Sequence, residues 1–305
     1  MRKFHNLKAD PTKIGNIAKP PFVRLPDPER LFIDRAARFR QLAAGHDLGP
    51  YLEFLAGLSE VQATIQDDLP EPSMPAAEIL DRAAEHEMPP LARTDFVADT
   101  VFSSLFDRLT TAAAALEMPP EAHLALSRIR VADEEMLHGV IGNVLSDWVP
   151  AEAVAEHAFV AAALQVHFAR LAARLDPDTL HPVGDGVCPA CGAPPSTSMV
   201  VGWNGAHGTR FCSCSLCGTL WNYVRAKCTL CGSTKEISFQ AVESGPDTVK
   251  AETCSSCQGY VKILYQDKMP AADPIADDVA TLGLDLLVRE LSFRRGGVNP
   301  FLLGY

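Results

Sequence analysis

Eight cysteines form four C-x2-C pairs: Cys188/Cys191, Cys214/Cys217, Cys228/Cys231 and Cys254/Cys257. Two cysteines separated by two residues turn a tight knuckle and aim both sulfurs at one point. Two such knuckles brought together by a β-hairpin supply four thiolates in a tetrahedron, a donor set suited to Zn(II), Fe(II) or Fe(III). Zinc there is structural and redox-silent, whereas iron can pass single electrons. Either way the coordination is closed, which argues against hydrolytic metal catalysis.

The spacing between pairs repeats. Twenty-two residues separate Cys191 from Cys214, and twenty-two again separate Cys231 from Cys254. The whole first set therefore recurs forty residues later, which marks a duplicated structural unit. CPACGAP is echoed by CTLCGST, Ser198 by Ser238, and the strand-like Leu220–Val224 by Tyr260–Leu264. Strand-like Met199-Val200-Val201 and Gly202 can form the hairpin between knuckles. The expectation is two four-cysteine sites, 188/191/214/217 and 228/231/254/257, each in a rubredoxin-like or zinc-ribbon module. Pairing 214/217 with 228/231 would break the repeat, and thioredoxin-type redox pairs belong at a helix start in a βαβ unit. Units of about forty residues bury too little core to fold alone, and structural zinc supplies about 10–16 kcal/mol in small finger peptides.

The ninth cysteine, Cys212, lies in the run C-S-C-S-L-C, with His207 and Arg210 nearby in sequence. A redox role competes there with a small residue at a strand end. The repeat puts Glu252 at the equivalent position, so the module does not require a thiol, and the structural reading is preferred.

Other candidate donors are weaker. Glu135 and His138 have the Glu-x-x-His spacing of di-iron bundles, but such a site needs two such pairs. His157 and His167 share a helical face without a carboxylate at ligand spacing, and no HExxH occurs. These histidines and His123 are read as solvated or structural, and the scattered acids around them as a wet face.

The elements that position the cysteines fall into two styles. Residues 1–30 hold Pro11, Pro20, Pro21, Pro26 and Pro28, an extended lead-in. From about 31 to 180 the chain is rich in alanine and leucine, with apolar stripes at Leu31, Ala36, Phe39, Leu42 and at Leu52, Leu55, Leu58, Val61. Later helices are expected near 76–87, 95–117, 120–147 and 152–175, with Thr94 or Asp95 and Pro150 as start signals. The result is a bundle of about six helices. The two cysteine modules then span 182–226 and 227–270. In 271–305 Asp273 and Pro274 start a last helix, with Asp277 and Asp278 at its positive N-terminus. Its stripe Ile275, Val279, Leu282, Leu286 packs on the bundle, and a tail, GGVNPFLLGY, follows.

The 305 residues carry 27 Lys/Arg against 38 Asp/Glu, a net charge of −11. Residues 182–270 are near neutral, so the acidity belongs to the helical part, and a zinc-ribbon nucleic-acid module is disfavoured. The start MRKFHNLKAD lacks a following apolar stretch, so a secretory signal is not expected. The best apolar run, Ala158–Leu164, is far short of the ~20 residues of a membrane helix. A cytoplasmic protein is expected, where reduced CxxC pairs read as metal ligands.

The order CPACGAP, SMV, CSLCGTLWNYVRAKC, KAETCSSCQGYVKILYQDK, then ADDVATLGLDLL and NPFL, resembles the FdhE-type formate dehydrogenase accessory proteins. VRLPDPERLFIDRAARFRQLA and YLEFLAGLSEVQ are similar to that family's N-terminal half. The resemblance implies a helical domain followed by two rubredoxin-like modules that bind metal, with iron reported in the family. It implies cytoplasmic maturation of respiratory formate dehydrogenase by binding its catalytic subunit, without turnover and without membrane insertion. Homo-oligomerisation is left open. All eight ligand positions of the family pattern are cysteines here, and Cys212 lies outside it. An electron carrier acting on the client enzyme is the alternative.

Overall fold

The computed structural model describes residues 20–243 and 245–302. The part of the lead-in containing Pro11, and the last three residues of the tail, lie outside the described residues.

The helical half begins with α1 (Pro28–Ala43) and α2 (Gly49–Thr64). Asp27 caps α1 through its carboxylate, which accepts from Glu29 N at 3.2 Å, and Pro28 presets the first turn. Both helices pack around α7 (Val154–Ala172), whose alanine-rich sequence is buried from Phe159 to Ala172. A helix apolar on every side belongs in the middle of a core. Phe32, Phe39, Leu52, Leu55 and Leu58 meet it there, and all are at most 1% exposed.

Between these lie α3 (Ala77–Glu85), α4 (Thr100–Ala113), α5 (Pro120–Arg130) and α6 (Glu134–Leu145), seven helices before the cysteines among the described residues. The helix expected over 120–147 is two. Asp133 breaks it, because its side chain accepts from Met136 N at 2.8 Å and starts a new helix. Thr94 and Asp95 sit in a 3-10 turn, Arg93–Asp95, and α4 starts later, capped by Asp99 on Phe102 N. Pro150 leads into a 3-10 turn, Ala151–Ala153, before α7. No helix among the described residues is long and apolar enough to cross a membrane.

The two cysteine repeats form one sheet. It contains β1 (Val23–Arg24), β2 (Pro195–Val200), β3 (Arg210–Cys214), β4 (Leu220–Asn222), β5 (Ile237–Gln240), β6 (Val249–Cys254), β7 (Gly259–Tyr265) and β8 (Arg294–Arg295). The order is β1-β4-β3-β2-β7-β6-β5, with β8 also on β7. Each repeat is an antiparallel meander, and the register recurs: Cys212 faces Trp221 as Glu252, forty residues on, faces Val261. The meanders fuse where β2 pairs parallel with β7, Ser198 opposite Ile263. The lead-in contributes β1, with Val23 opposite Trp221.

The last helix is also divided, into α8 (Ala276–Ala280) and α9 (Leu282–Glu290), with Thr281 between. Asp273 accepts from Ile275 N and Ala276 N at 2.9 and 2.8 Å, but α8 starts at Ala276 with Ile275 at its N-cap, two residues later than the expected start at Pro274. Ile275, Val279 and Leu282 enter the bundle core, but Leu286 is 48% exposed and leaves the stripe. The break at Thr281 turns α9 so that Leu284 and Val288 enter a second, smaller core on the sheet with Met199, Phe211, Tyr260 and Leu264. In the tail, Phe301 and Leu302 are buried in the bundle core, and Tyr51 Oη donates to Phe301 O at 2.7 Å.

Candidate metal centres

The backbone of each first knuckle is the same structure. Cys188 N donates to Ala193 O at 2.8 Å and Gly192 N to Cys188 O at 2.9 Å; Cys228 N donates to Ser233 O at 2.7 Å and Gly232 N to Cys228 O at 3.0 Å. The chain must turn left-handed just after the second cysteine. Gly192 and Gly232, at φ 75° and 71°, do so without the Cβ penalty. The second knuckle of each set follows a strand end, β3 in one repeat and β6 in the other.

The sulfurs gather as the repeat requires. Cys188, Cys191, Cys214 and Cys217 place their Sγ atoms within 4.8 Å of one another, and so do Cys228, Cys231, Cys254 and Cys257. Among the described residues, no such group mixes the two sets. Sγ–Sγ separations are 3.7 Å for 188–217, 3.4 Å for 191–214, 3.9 Å for 228–257 and 3.8 Å for 231–254. Four sulfurs about 2.3 Å from a central ion stand about 3.8 Å apart, whereas a disulfide brings two to about 2.05 Å. All nine cysteines are free thiols. Each group is thus positioned to hold one metal ion.

Amides point at the sulfurs as thiolate coordination asks. Leu216 N and Cys217 N donate to Cys214 Sγ at 3.4 and 3.3 Å, and Leu230 N donates to Cys228 Sγ at 3.4 Å. Burial pushes the Cys188 and Cys191 thiols well up. Against that same burial, hydrogen bonds from Cys188, Cys191, Cys214 and Thr219 hold Cys217 well down. Four thiolates packed in this pocket need a cation among them.

The first set is buried throughout, at 0–2% exposure. The second is half open, with Cys228 and Cys254 buried and Cys231 and Cys257 exposed.

Cys212 belongs to neither group. It lies mid-strand in β3, not at a strand end, between Ser198 and Trp221, and is fully buried. Burial raises its thiol to about 11, which leaves it a protonated core residue. Glu252, its counterpart in the second repeat, reaches across to Arg210 of the first at 2.7 Å, with both side chains buried. Tyr223 adds a second bridge by donating to Asp185 Oδ1 at 2.5 Å and to Cys228 O at 3.1 Å. Sequence reading missed these links, since an arginine and a glutamate 42 residues apart carry no local signal.

The acids after Pro270 do lie in the first turn of α8, as expected, but their burial carries no sequence signal. Asp277 and Asp278 are buried ion partners. Arg38 of α1 grips Asp277 through Nε at 3.0 Å and Nη2 at 2.5 Å. Lys262 Nζ lies 3.2 Å from Asp278 and 2.5 Å from Asp285, Arg295 pairs with both acids, and Asn299 donates to Asp278 at 2.9 Å. These contacts bind α8 and α9 to the bundle and the sheet.

The histidines are structural or solvated. His123, Glu135 and His138 are exposed. His157 Nδ1 is 2.6 Å from Ala153 O and its Nε2 is 3.1 Å from Asn143 Nδ2. His167 sits edge-on among Phe96, Phe102 and Phe168, and burial lowers it to about 4.

Comparison with known proteins matches the same plan. Residues 20–185 match the FdhE N-terminal model, 187–225 the FdhE central domain and 226–302 the FdhE C-terminal domain. The chain is 49% identical over 301 residues to the "Protein FdhE homolog" of Rhizobium meliloti (strain 1021), covering 98% of each. It is 35% identical to the homologue of the same name from Stutzerimonas stutzeri (strain A1501), covering 93% of each. The crystal structure of the FdhE protein from Pseudomonas aeruginosa superposes with a TM-score of 0.81 at 34% identity, covering 93% of this chain and 99% of that one. The chain belongs to the FdhE family.

Proposed function

We propose that the chain is an accessory factor in the maturation of respiratory formate dehydrogenase, binding its catalytic subunit in the cytoplasm and acting without turnover of its own. Cys188, Cys191, Cys214 and Cys217 hold one metal ion, and Cys228, Cys231, Cys254 and Cys257 a second, each iron or zinc. The observation that carries this reading is the pair of four-sulfur groups at tetrahedral spacing, in a chain that matches FdhE from end to end of its described residues. Closed four-thiolate sets leave no position for substrate, which favours a binding scaffold over a catalyst. Structural metal also explains how two short meanders with a small shared core stay folded.

The test is anaerobic, chelator-free co-purification of the tagged chain with an untagged formate dehydrogenase catalytic subunit, followed by metal analysis of the complex. Capture with about two metal ions per chain supports the proposal. Failure to capture the subunit with the metal-loaded chain contradicts it. The exposure of Cys231 and Cys257 favours a second reading, electron transfer to the client through the outer site. That reading fails if a zinc-only protein still matures the enzyme.

A further inference from the structure

The repeat permits a comparison of each residue with its equivalent forty positions on, and the two knuckle surfaces differ sharply. In the first repeat residues 188–191 and 215–217 are all buried. The bundle provides the cover. Leu91 N donates to Ala190 O at 2.9 Å and Arg93 N to Cys191 O at 3.0 Å, so the segment after α3 lies along the first knuckle as an extra strand would. Contact is close enough that a methyl group built on Gly192 would stand 3.3 Å from Pro89, and one on Gly218 would stand 2.8 Å from Leu31. In the second repeat Cys231 and residues 255–258 are exposed. There Ser233 Oγ meets Ser256 Oγ at 3.0 Å, and Gln258 folds its amide back onto Ser255 O at 2.7 Å. Ligands of identical type and spacing are therefore sealed in one site and open to solvent in the other.

Resting on the proposal that both groups hold metal, we infer that the second site is an exchange site and the first is locked. A donor from outside the chain, a thiol or a chelating nitrogen or oxygen of another molecule, reaches the metal beside Cys231 and Cys257. As the new bonds to the metal form, Cys231 Sγ and Cys257 Sγ leave as thiolates and take up protons from water, with no change of oxidation state. Cys228 and Cys254, buried beneath, keep the ion until the incoming ligands complete its shell. At the first site no donor can approach until residues 89–93 lift away, and that opening limits the rate.

The experiment loads the full chain with zinc and follows its transfer to excess 4-(2-pyridylazo)resorcinol by absorbance. Two phases of about one equivalent each are expected, the second at least about tenfold slower, since it awaits local opening. In Cys231→Ser and in Cys257→Ser the fast phase should vanish and the slow one remain. In Leu91→Ala the slow phase should quicken while the fast one stays. Iodoacetamide with the chelator, read by peptide mass spectrometry, should label 231 and 257 ahead of 188, 191, 214 and 217. A single phase releasing both equivalents, or a fast phase that survives Cys231→Ser and Cys257→Ser, overturns the inequality and leaves the metal reading standing. A chain that takes up no zinc overturns both.

Discussion

Lys262 is a lysine with no exposed surface, and its removal tests how the C-terminal helices are held. Its ammonium donates to Asp278 O at 2.8 Å and to Thr281 O and Oγ1 at 3.0 Å, and it pairs with the carboxylates of Asp278 and Asp285. With Arg295 the cluster balances two cations against two anions. Lys262→Met keeps the volume and the apolar stem but leaves Asp278 and Asp285 sharing Arg295 alone. Breaking one partner out of a buried ion cluster costs about 3–5 kcal/mol, because the remaining charge stays desolvated. At roughly 2–4 °C per kcal/mol for a large domain, the sheet transition should fall by about 10 °C. The pH dependence follows in sign. Burial works against Asp278, but Arg295, Lys262 and Asn299 outweigh it and hold its carboxyl below the ordinary value. That stability is present above the unfolded value near 3.8 and is lost as pH falls through the folded one. Without Lys262 the carboxyl rises, so the deficit of the variant should be full at pH 7.5 and shrink toward pH 4.5, where a proton replaces the missing cation. Adding Asp278→Asn to Lys262→Met should recover most of the loss, since it rebalances the charges. Thermal and urea unfolding at both pH values provide the assay. A loss below about 1 kcal/mol, or a double variant as unstable as the sum of the singles, would mean that Lys262 does not balance this cluster.

Three further outcomes are expected. His167→Phe should protect the bundle from acid: burial lowers this histidine from 6.5 to about 4, so the wild type loses up to about 3 kcal/mol as pH falls across that window, and the variant should not; parallel acid unfolding curves would count against it. Asp133→Ala should cost about 1 kcal/mol by removing the cap of α6, checked by urea unfolding, with Asp133→Asn close to wild type. Arg38→Met should free Asp277 and loosen α8 from α1, raising hydrogen exchange over 273–281 while leaving that of β6 unchanged; uniform protection would dismiss the clamp.

The grouping of the cysteines into two sets of four was legible because their spacing brings the sulfurs together: C-x2-C makes the knuckle and a twenty-two-residue hairpin returns the second pair. The apolar stripe Leu31, Ala36, Phe39, Leu42 was equally plain, although its helix starts at Pro28, inside the expected extended lead-in, with a cap at Asp27 that was not read. What escaped reading depends on tertiary contact. The parallel pairing of Ser198 with Ile263 fuses two modules into one sheet, and neither strand announces that neighbour. Lys262, Asp278 and Glu252 have the composition of a wet surface, yet each is buried opposite a charge distant in sequence. Asp133 splits a helix that periodicity alone continues, and Thr281 turns Leu286 outward after three correct members of its stripe. Likewise the exposure of Cys231 and Cys257 comes from where the bundle lies, which a perfect repeat cannot express.

On this reading eight of the nine cysteines hold two ions. Native mass spectrometry of the intact chain, purified anaerobically without chelator, tests it most directly. The expected mass is that of the chain raised by two metal ions, less the protons that the thiolates release, and by one ion in Cys217→Ser. A chain of unmodified apo mass, or one lighter by the hydrogens of disulfides, would contradict it.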